Sequence, residues 1–432
     1  MVEKEIDGRI SAKYENRYKD LVKFDLNNHL PRHRWYSFVE GYSSELVRQL
    51  IGESGKKPDL IYDPFGGVGT TSLTAQELGI RCISNECNPF IFDVARSKIF
   101  HGYSRDTFYK HLEKLEKQIG IELGGKVVYP VLESRSIIER EDLDKWLLND
   151  SVARGVFAVA GALDKLEATS SYKRLFRVVL GGLLIRYSNV FRNGKALSYR
   201  QNWRKKNYTT TEFVEHFISE CRDKVGIDIT TSKFRPIDSF NYQNLALGDS
   251  RVRTKKIDNN CLDMVITSPP YLNSRDYTDI YRLELWVLGY VKTYFEERKV
   301  RKGGFTSHVQ IKLPIVKHPK NKKIEQFLEH LGEQETLWNS QLPMMVAGFF
   351  AEMESLLSDL RPKLKKGGRV FINISNSAYY GQVCAVDEII AEIAQSLGYS
   401  LDEIRIARHV KASSQQKSLG GLRESIIVLD KK

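Results

Sequence analysis

Two kinds of hydrophobic spacing divide the chain. Between residues 59 and 100 short apolar runs alternate with helical ones. Asp59-Leu60-Ile61-Tyr62-Asp63 predicts a buried strand that enters a Gly-rich turn, and Thr70 to Leu78 a helix closed by Gly79. Arg81 to Glu86 predicts a second strand and Pro89 to Phe100 a second helix. From about residue 104 the apolar positions recur with helical spacing instead, over His111 to Ile119, Arg140 to Asn149, Val152 to Ala168 and Ser171 to Val190. Strand-like segments then resume at Asn244 to Leu247, Cys261 to Thr267, Arg369 to Ile374 and Glu424 to Leu429. Between them, Glu325 to Leu360 reads as helix, divided near Gly332 and Pro343. Alternating strands and helices imply an α/β fold around a mostly parallel, doubly wound, Rossmann-like sheet. The expected division is an N-terminal part of that fold (1–103), a mostly helical insertion (104–239) and a C-terminal part (240–432).

Composition narrows the class without naming a function. The 432 residues suffice for two ordinary domains, or for one large domain carrying an insertion. The longest apolar stretches, such as Val178 to Ile185, fall well short of the roughly 18 residues of a spanning helix, so no membrane partner is expected. The polar start, Met1-Val2-Glu3-Lys4-Glu5-Ile6-Asp7, shows no signal peptide, and a cytoplasmic chain is the expectation. Five scattered cysteines make no disulfide framework and no zinc-knuckle spacing. The nine histidines likewise show no metal-ligand spacing, so no metal is expected. Lys plus Arg total 66 against 54 Asp plus Glu; 66 − 54 leaves +12, compatible with a polyanionic partner.

The candidate chemistry lies in two turns. In Asp63-Pro64-Phe65-Gly66-Gly67-Val68-Gly69-Thr70-Thr71 a strand meets a helix through glycines that let a ligand approach the backbone. The helix start offers unpaired N–H groups, although many such turns serve packing alone. Asp63 ends the strand, where it could pair a ligand ammonium, and Glu86 ends the next strand, where it could accept from ribose hydroxyls. No Gly-Lys-Ser or Gly-Lys-Thr follows, which excludes a P-loop and suits a cationic nucleoside better than a nucleotide. Asp249, in Gly248-Asp249-Ser250, could bond an adenine amino group or simply cap a turn. The second turn is Asp263-Met264-Val265-Ile266-Thr267-Ser268-Pro269-Pro270-Tyr271. Paired prolines stiffen it into a platform with carbonyl oxygens, a hydroxyl and an aromatic face, equipment for holding a planar base.

Together, Asp-Pro-Phe-x-Gly-x-Gly-Thr and Thr-Ser-Pro-Pro-Tyr resemble the DNA amino-methyltransferases, which move a methyl group from S-adenosylmethionine to an exocyclic base nitrogen. The segment His33 to Ser43, the helix Glu45 to Ile51, the stretches Tyr271 to Tyr277 and Arg282-Leu283-Glu284, and Arg423-Glu424-Ser425 also look familial. The likeness covers roughly residues 30–103 and 244–430. It implies a cofactor site of Asp63, Phe65, Gly67, Gly69 and Thr70, with Tyr36 and Phe38 from the preceding segment, Glu86 on the ribose and Asp249 near the adenine. It implies Ser268, Pro269, Pro270 and Tyr271 as the catalytic turn that holds a flipped base, with Tyr271 stacking on it. Serine in the first position of that turn favours cytosine N4 over adenine N6. Methylation at ring carbon 5 needs a nucleophilic Cys, commonly after Pro, and none of the five cysteines follows a Pro. A structured RNA substrate, or a nucleic-acid-binding protein with a decayed site, are the other readings.

For a DNA enzyme the positive charge has two addresses. Residues 298–323 hold nine Lys or Arg and Arg186 to Lys206 hold seven, with no acidic residue in either. Such runs can be solvated faces; here they nominate phosphate contacts at Arg192, Lys195, Arg200, Arg204 and Lys205, and at Arg301, Lys302, Lys320, Lys322 and Lys323. The later stretch is expected to be a loop that closes over double-stranded DNA. A restriction endonuclease encoded nearby is the expected companion, and the nucleoid the expected place of work.

Overall fold

Successive residues of the central strands point to opposite faces, and here both faces are apolar. Ile61, Met264, Phe371 and Ile426 pack with Leu46, Leu73 and Ala95 on one side. Tyr62, Val265, Ile372 and Ile427 pack with Phe349, Met353 and Ile390 on the other. A strand buried on both faces reads as a continuous apolar run, which is what a helix-covered parallel sheet requires. The architecture is that of a computed structural model, which describes residues 3–6, 10–39, 41–193, 196–231, 244–272, 275–310, 312–410 and 422–432.

The sheet has nine strands among the described residues. In spatial order they are Glu3–Ile6, Ile10–Tyr14, Ser400–His409, Arg423–Asp430, Leu364–Ser375, Leu262–Thr267, Leu60–Asp63, Arg81–Glu86 and Leu245–Leu247. The last five of these run parallel. Arg423–Asp430 lies antiparallel between Leu364–Ser375 and Ser400–His409. The result is a mixed α/β fold with a large, mostly parallel sheet. From Leu60–Asp63 the chain winds outward through Arg81–Glu86, whereas Leu262–Thr267 pairs on its other side. The crevice between oppositely wound halves opens at the carboxyl ends of Leu60–Asp63 and Leu262–Thr267, where ligands of such sheets bind.

Residues 105–231 are mainly helical: Arg105–Gly124, Asp150–Lys165, Ser170–Tyr187 and Thr210–Ser219, the last continuing through a π-turn (Glu220–Val225) into Gly226–Thr231. Two expectations fail there. Arg140 to Asn149 is not a helix. The Leu147 and Leu148 amides bond sideways to the Ser136 and Ile137 carbonyls, and Asn189 N bonds to Leu147 O, so lateral pairing wins over helical spacing. The helix from Ser170 stops at Tyr187, because Val190–Arg192 pairs with Leu197–Tyr199 as a short hairpin.

Among the described residues the insertion has no separate core. One apolar cluster joins Phe108, Val156, Phe176 and Leu180 to Phe90, Val94, Tyr281 and Trp286. At Gly181 a Cβ would lie 2.6 Å from the Phe90 ring, so glycine is needed for the two helices to approach. A buried carboxylate adds a polar clamp. Asp228 accepts from Arg32 N (2.9 Å), Arg34 Nη2 (2.6 Å) and Trp35 Nε1 (2.9 Å), tying the insertion's last helix to the segment before the Gly turn.

The basic stretch 298–323 is not one loop. The helix Tyr294–Lys302, opened by a Thr293/Glu296 capping box, takes its first residues, and Lys322–Gly332 its last. Pro343 does not break a helix but stands in the first turn of Leu342–Leu360, where its missing N–H costs nothing. No helix among the described residues is long and apolar enough to cross a membrane.

Candidate functional site

At the Gly turn the backbone is pressed against the neighbouring strand. Gly66 N donates to Asn85 O at 2.7 Å, and a Cβ on Gly66 would fall 1.9 Å from Ser84 Oγ, so no side chain fits. Gly69 has φ +82° and starts the helix Thr70–Glu77 against Ala95. The turn forms one wall of a cleft of about 120 Å³ at the carboxyl ends of the parallel strands. Phe65, Gly67 and Thr70 line it, with Phe38 and Glu86; Gly69 does not.

Glu86 is half-buried at the cleft wall, its Oε1 accepting from Asn88 N at 2.7 Å. Burial pushes its carboxyl up to about 7. Phe38 stands above Gly67 and stacks on Tyr281, with ring centroids 5.6 Å apart and planes 4° from parallel.

Besides Gly69, three residues expected at the cofactor do not line the cleft. Asp63 is only 1% exposed and does not line the cleft; it accepts from Thr267 Oγ1 (2.7 Å), Tyr42 OH (3.1 Å) and Phe65 N (3.1 Å). It braces three chain segments. Burial holds it above the usual carboxylate range. Asp249 caps the short helix Ser250–Arg253 and is paired with Arg251 at 2.7 Å, while its neighbours Gly248 and Ser250 line the cleft. Tyr36 is buried behind the wall, donating to Glu284 Oε1 at 2.7 Å. From the same segment Phe38 reaches the cleft and Tyr36 does not.

Ser268, Pro269 and Pro270 line the opposite wall. Tyr271, expected to stack on a base, does not line the cleft. Its hydroxyl donates to Glu424 Oε1 at 2.6 Å and accepts from Asn373 Nδ2 at 2.9 Å, both on adjacent strands. Ser268 Oγ lies 3.5 Å from the same hydroxyl, so Tyr271 anchors the turn from beneath.

The remaining wall follows the second turn. Asp276 caps the helix Tyr277–Ile280 and pairs with Arg301 at 2.5 Å; Arg301 Nη2 also bonds Asp279 at 2.9 Å. Asp276, Tyr277, Thr278, Tyr281, Arg301 and His308 all border the cleft. Burial holds the His308 imidazole below its ordinary value despite Asp276 nearby. Tyr277 lay in a stretch already singled out, but nothing in one sequence distinguished it; Tyr42, also in the wall, gave no signal beyond its motif.

The nominated phosphate contacts separate into two groups. Arg192 is 11% exposed and ion-paired with the fully buried Glu284, and Arg301 is spent on two aspartates. Lys323 pairs with Glu388 (2.6 Å) and Glu392 (2.8 Å), and Arg200 bonds the Ile185 and Ser188 carbonyls. All four are engaged by partners within the protein. Lys205, Lys302, Lys320 and Lys322 are exposed, as is Arg204, which lies over Trp203 and reaches Asp144 O. Lys195 lies outside the described residues. Among the described residues no group of three His, Cys, Asp or Glu is placed to hold a metal ion.

Residues 9–97, which include the Gly turn and Glu86, match the family model described as DNA methylase. Along nearly its whole length the chain is similar to type II methyltransferases. M.BsoBI of Geobacillus stearothermophilus is 27% identical over 96% of this chain and 88% of its own. M.AvaI of Nostoc sp. (strain PCC 7120) is 26% identical over 94% and 86%, and so is M.AvaI of Anabaena variabilis. These likenesses support a DNA methyltransferase.

Proposed function

We propose that this protein is an S-adenosylmethionine-dependent DNA methyltransferase that methylates the exocyclic N4 of cytosine in duplex DNA, as the modification partner of a restriction endonuclease. The observation that carries the reading is the single cleft bordered by both the Gly turn and Ser268-Pro269-Pro270.

The residues present fit the cofactor. A Cβ at Gly66 would be blocked by Ser84, so the turn keeps a bare backbone beside the cleft. Phe38 and Ile91 offer apolar surface for a base, and Glu86 offers an acceptor for ribose hydroxyls. When bound, S-adenosylmethionine supplies a methyl group already activated on a sulfonium. The chain itself then has to position the target nitrogen and adjust its electronics. An aromatic amine attacks poorly because its lone pair is delocalised into the ring. Ser268 Oγ and the Pro269 carbonyl accept its N–H groups and favour a pyramidal nitrogen with the lone pair free. Tyr271, bonded to Glu424 and Asn373, holds that turn against the sheet. The base leaves the duplex stack to reach the cleft, at a cost of a few kcal/mol, and the exposed lysines at 302, 320 and 322 contact phosphates.

Purified protein, labelled cofactor and mixed-sequence duplex DNA test the reading. Label is expected in DNA, with N4-methylcytosine as the modified nucleoside by mass spectrometry. N6-methyladenine would move the target base, and label in RNA but not DNA would overturn the substrate. Ser268→Ala should lower turnover about 10²-fold with little change in cofactor affinity.

A further inference from the structure

The helical insertion sends one side chain into the back of the cleft wall. Arg192, on the hairpin strand Val190–Arg192, donates through Nε to Ile280 O at 3.2 Å and through Nη2 to Tyr36 OH at 2.9 Å, and it pairs with Glu284. Its guanidinium lies over the Tyr281 ring, 4.8 Å from the centroid. Its partners come from two segments that carry the wall, residues 280–284 and Tyr36. Ile280 ends the helix Tyr277–Ile280, whose Tyr277 and Thr278 border the cleft. Tyr36 is two residues from Phe38, and Tyr281 is the ring on which Phe38 stacks. The guanidinium holds five N–H donors in a fixed planar fork that also lies flat over a ring, whereas a lysine gathers its three donors on one freely rotating nitrogen.

We propose that Arg192 is a positioning residue for the cofactor: it fixes the spacing of Phe38 and Tyr281, so that the insertion completes the cofactor cleft instead of only contacting DNA. This rests on the methyltransferase reading. In the sequence Arg192 lies in a basic stretch and looks like a phosphate contact; in the fold its charge is consumed by Glu284. Side-chain alternation explains the difference, since Phe191 beside it is 40% exposed while Arg192 turns inward.

Removing Arg192 alone would strand the buried Glu284 carboxylate, so the informative variant is Arg192→Met combined with Glu284→Gln, with Arg192→Lys as a charge-retaining companion. Calorimetric titration of the full chain with S-adenosylmethionine should show at least a tenfold weaker Kd in the double variant and a smaller loss in Arg192→Lys. The melting temperature should stay within a few degrees of wild type. The slope of log K against log salt, for a mixed-sequence 30-base-pair duplex, should not change. Wild-type cofactor affinity in whichever of the two variants remains folded overturns the proposal. So does a salt slope reduced by about one, the mark of a lost phosphate contact. If wild type binds S-adenosylmethionine and transfers methyl while the variants bind equally well, only this inference falls. No cofactor binding by wild type removes both.

Discussion

Asp63 and Glu86 end neighbouring parallel strands, both carry a carboxylate, and both are held above the usual carboxylate range by burial. They do opposite work. Asp63 is enclosed by donors from Tyr42, Thr267 and the Phe65 backbone. Glu86, one strand over and at the cleft wall, has Asn88 N on one oxygen and the cleft beside it. A shared position at a strand's carboxyl end therefore does not define a role; what surrounds the oxygens does. The same division separates Lys322 from Lys323, one exposed and the other inside a carboxylate pair.

The largest test of the contrast is Asp63→Ala. Orphaning three buried donors should cost about 2–4 kcal/mol of unfolding free energy in urea titrations; a loss of cofactor affinity at unchanged stability would mean that Asp63 does meet the ligand. Glu86→Gln should behave in the opposite way. Stability should move by less than about 1 kcal/mol, and S-adenosylmethionine affinity should fall about 10- to 100-fold, the worth of charge-assisted hydrogen bonds. Equal effects of the two substitutions on Tm would erase the distinction.

A pH titration sharpens it further. Glu86 is protonated below about 7 in the free protein, while ribose hydroxyls need the ionised acceptor. Binding should thus release a proton, and affinity should weaken about tenfold between pH 8 and pH 6. The trend should vanish in Glu86→Gln. For folding the sign is reversed: a raised carboxyl pKa favours the folded state below the unfolded value and loses that advantage as pH climbs through about 7. The smallest effect belongs to the lysines. Lys322→Gln should flatten the salt slope of DNA binding by about 0.9, a several-fold loss of affinity, and Lys323→Gln should leave the slope alone. A slope that responds to Lys323 and not to Lys322 would reverse the assignment.

Much of the framework was legible because it depends on local chemistry. The strand, Gly turn and helix from Leu60 to Glu77 follow from apolar runs bounded by glycines, and the second turn from its two prolines. What misled was periodicity without context. Arg140 to Asn149 has helical spacing, yet its amides find partners on Ser136 and Ile137. Tyr271 sits in the most informative motif, yet its hydroxyl is claimed by Glu424, 153 residues away. Arg192 and Arg301 raised the charge count of the basic stretches, yet both are neutralised by acids lying outside those stretches.

The sequence by itself determined the α/β class, the two turns and their pairing, because turns and amphipathic runs are set by residues a few positions apart. Tertiary structure alone decided which side chains of those motifs face the cleft. It also decided that the insertion shares its core, and that Arg192 reaches the back of the Phe38–Tyr281 wall. The physical reason is that a polar group's role depends on the partners within hydrogen-bonding distance. For Asp63, Tyr271 and Arg192 the decisive partners come from chain segments far away in sequence.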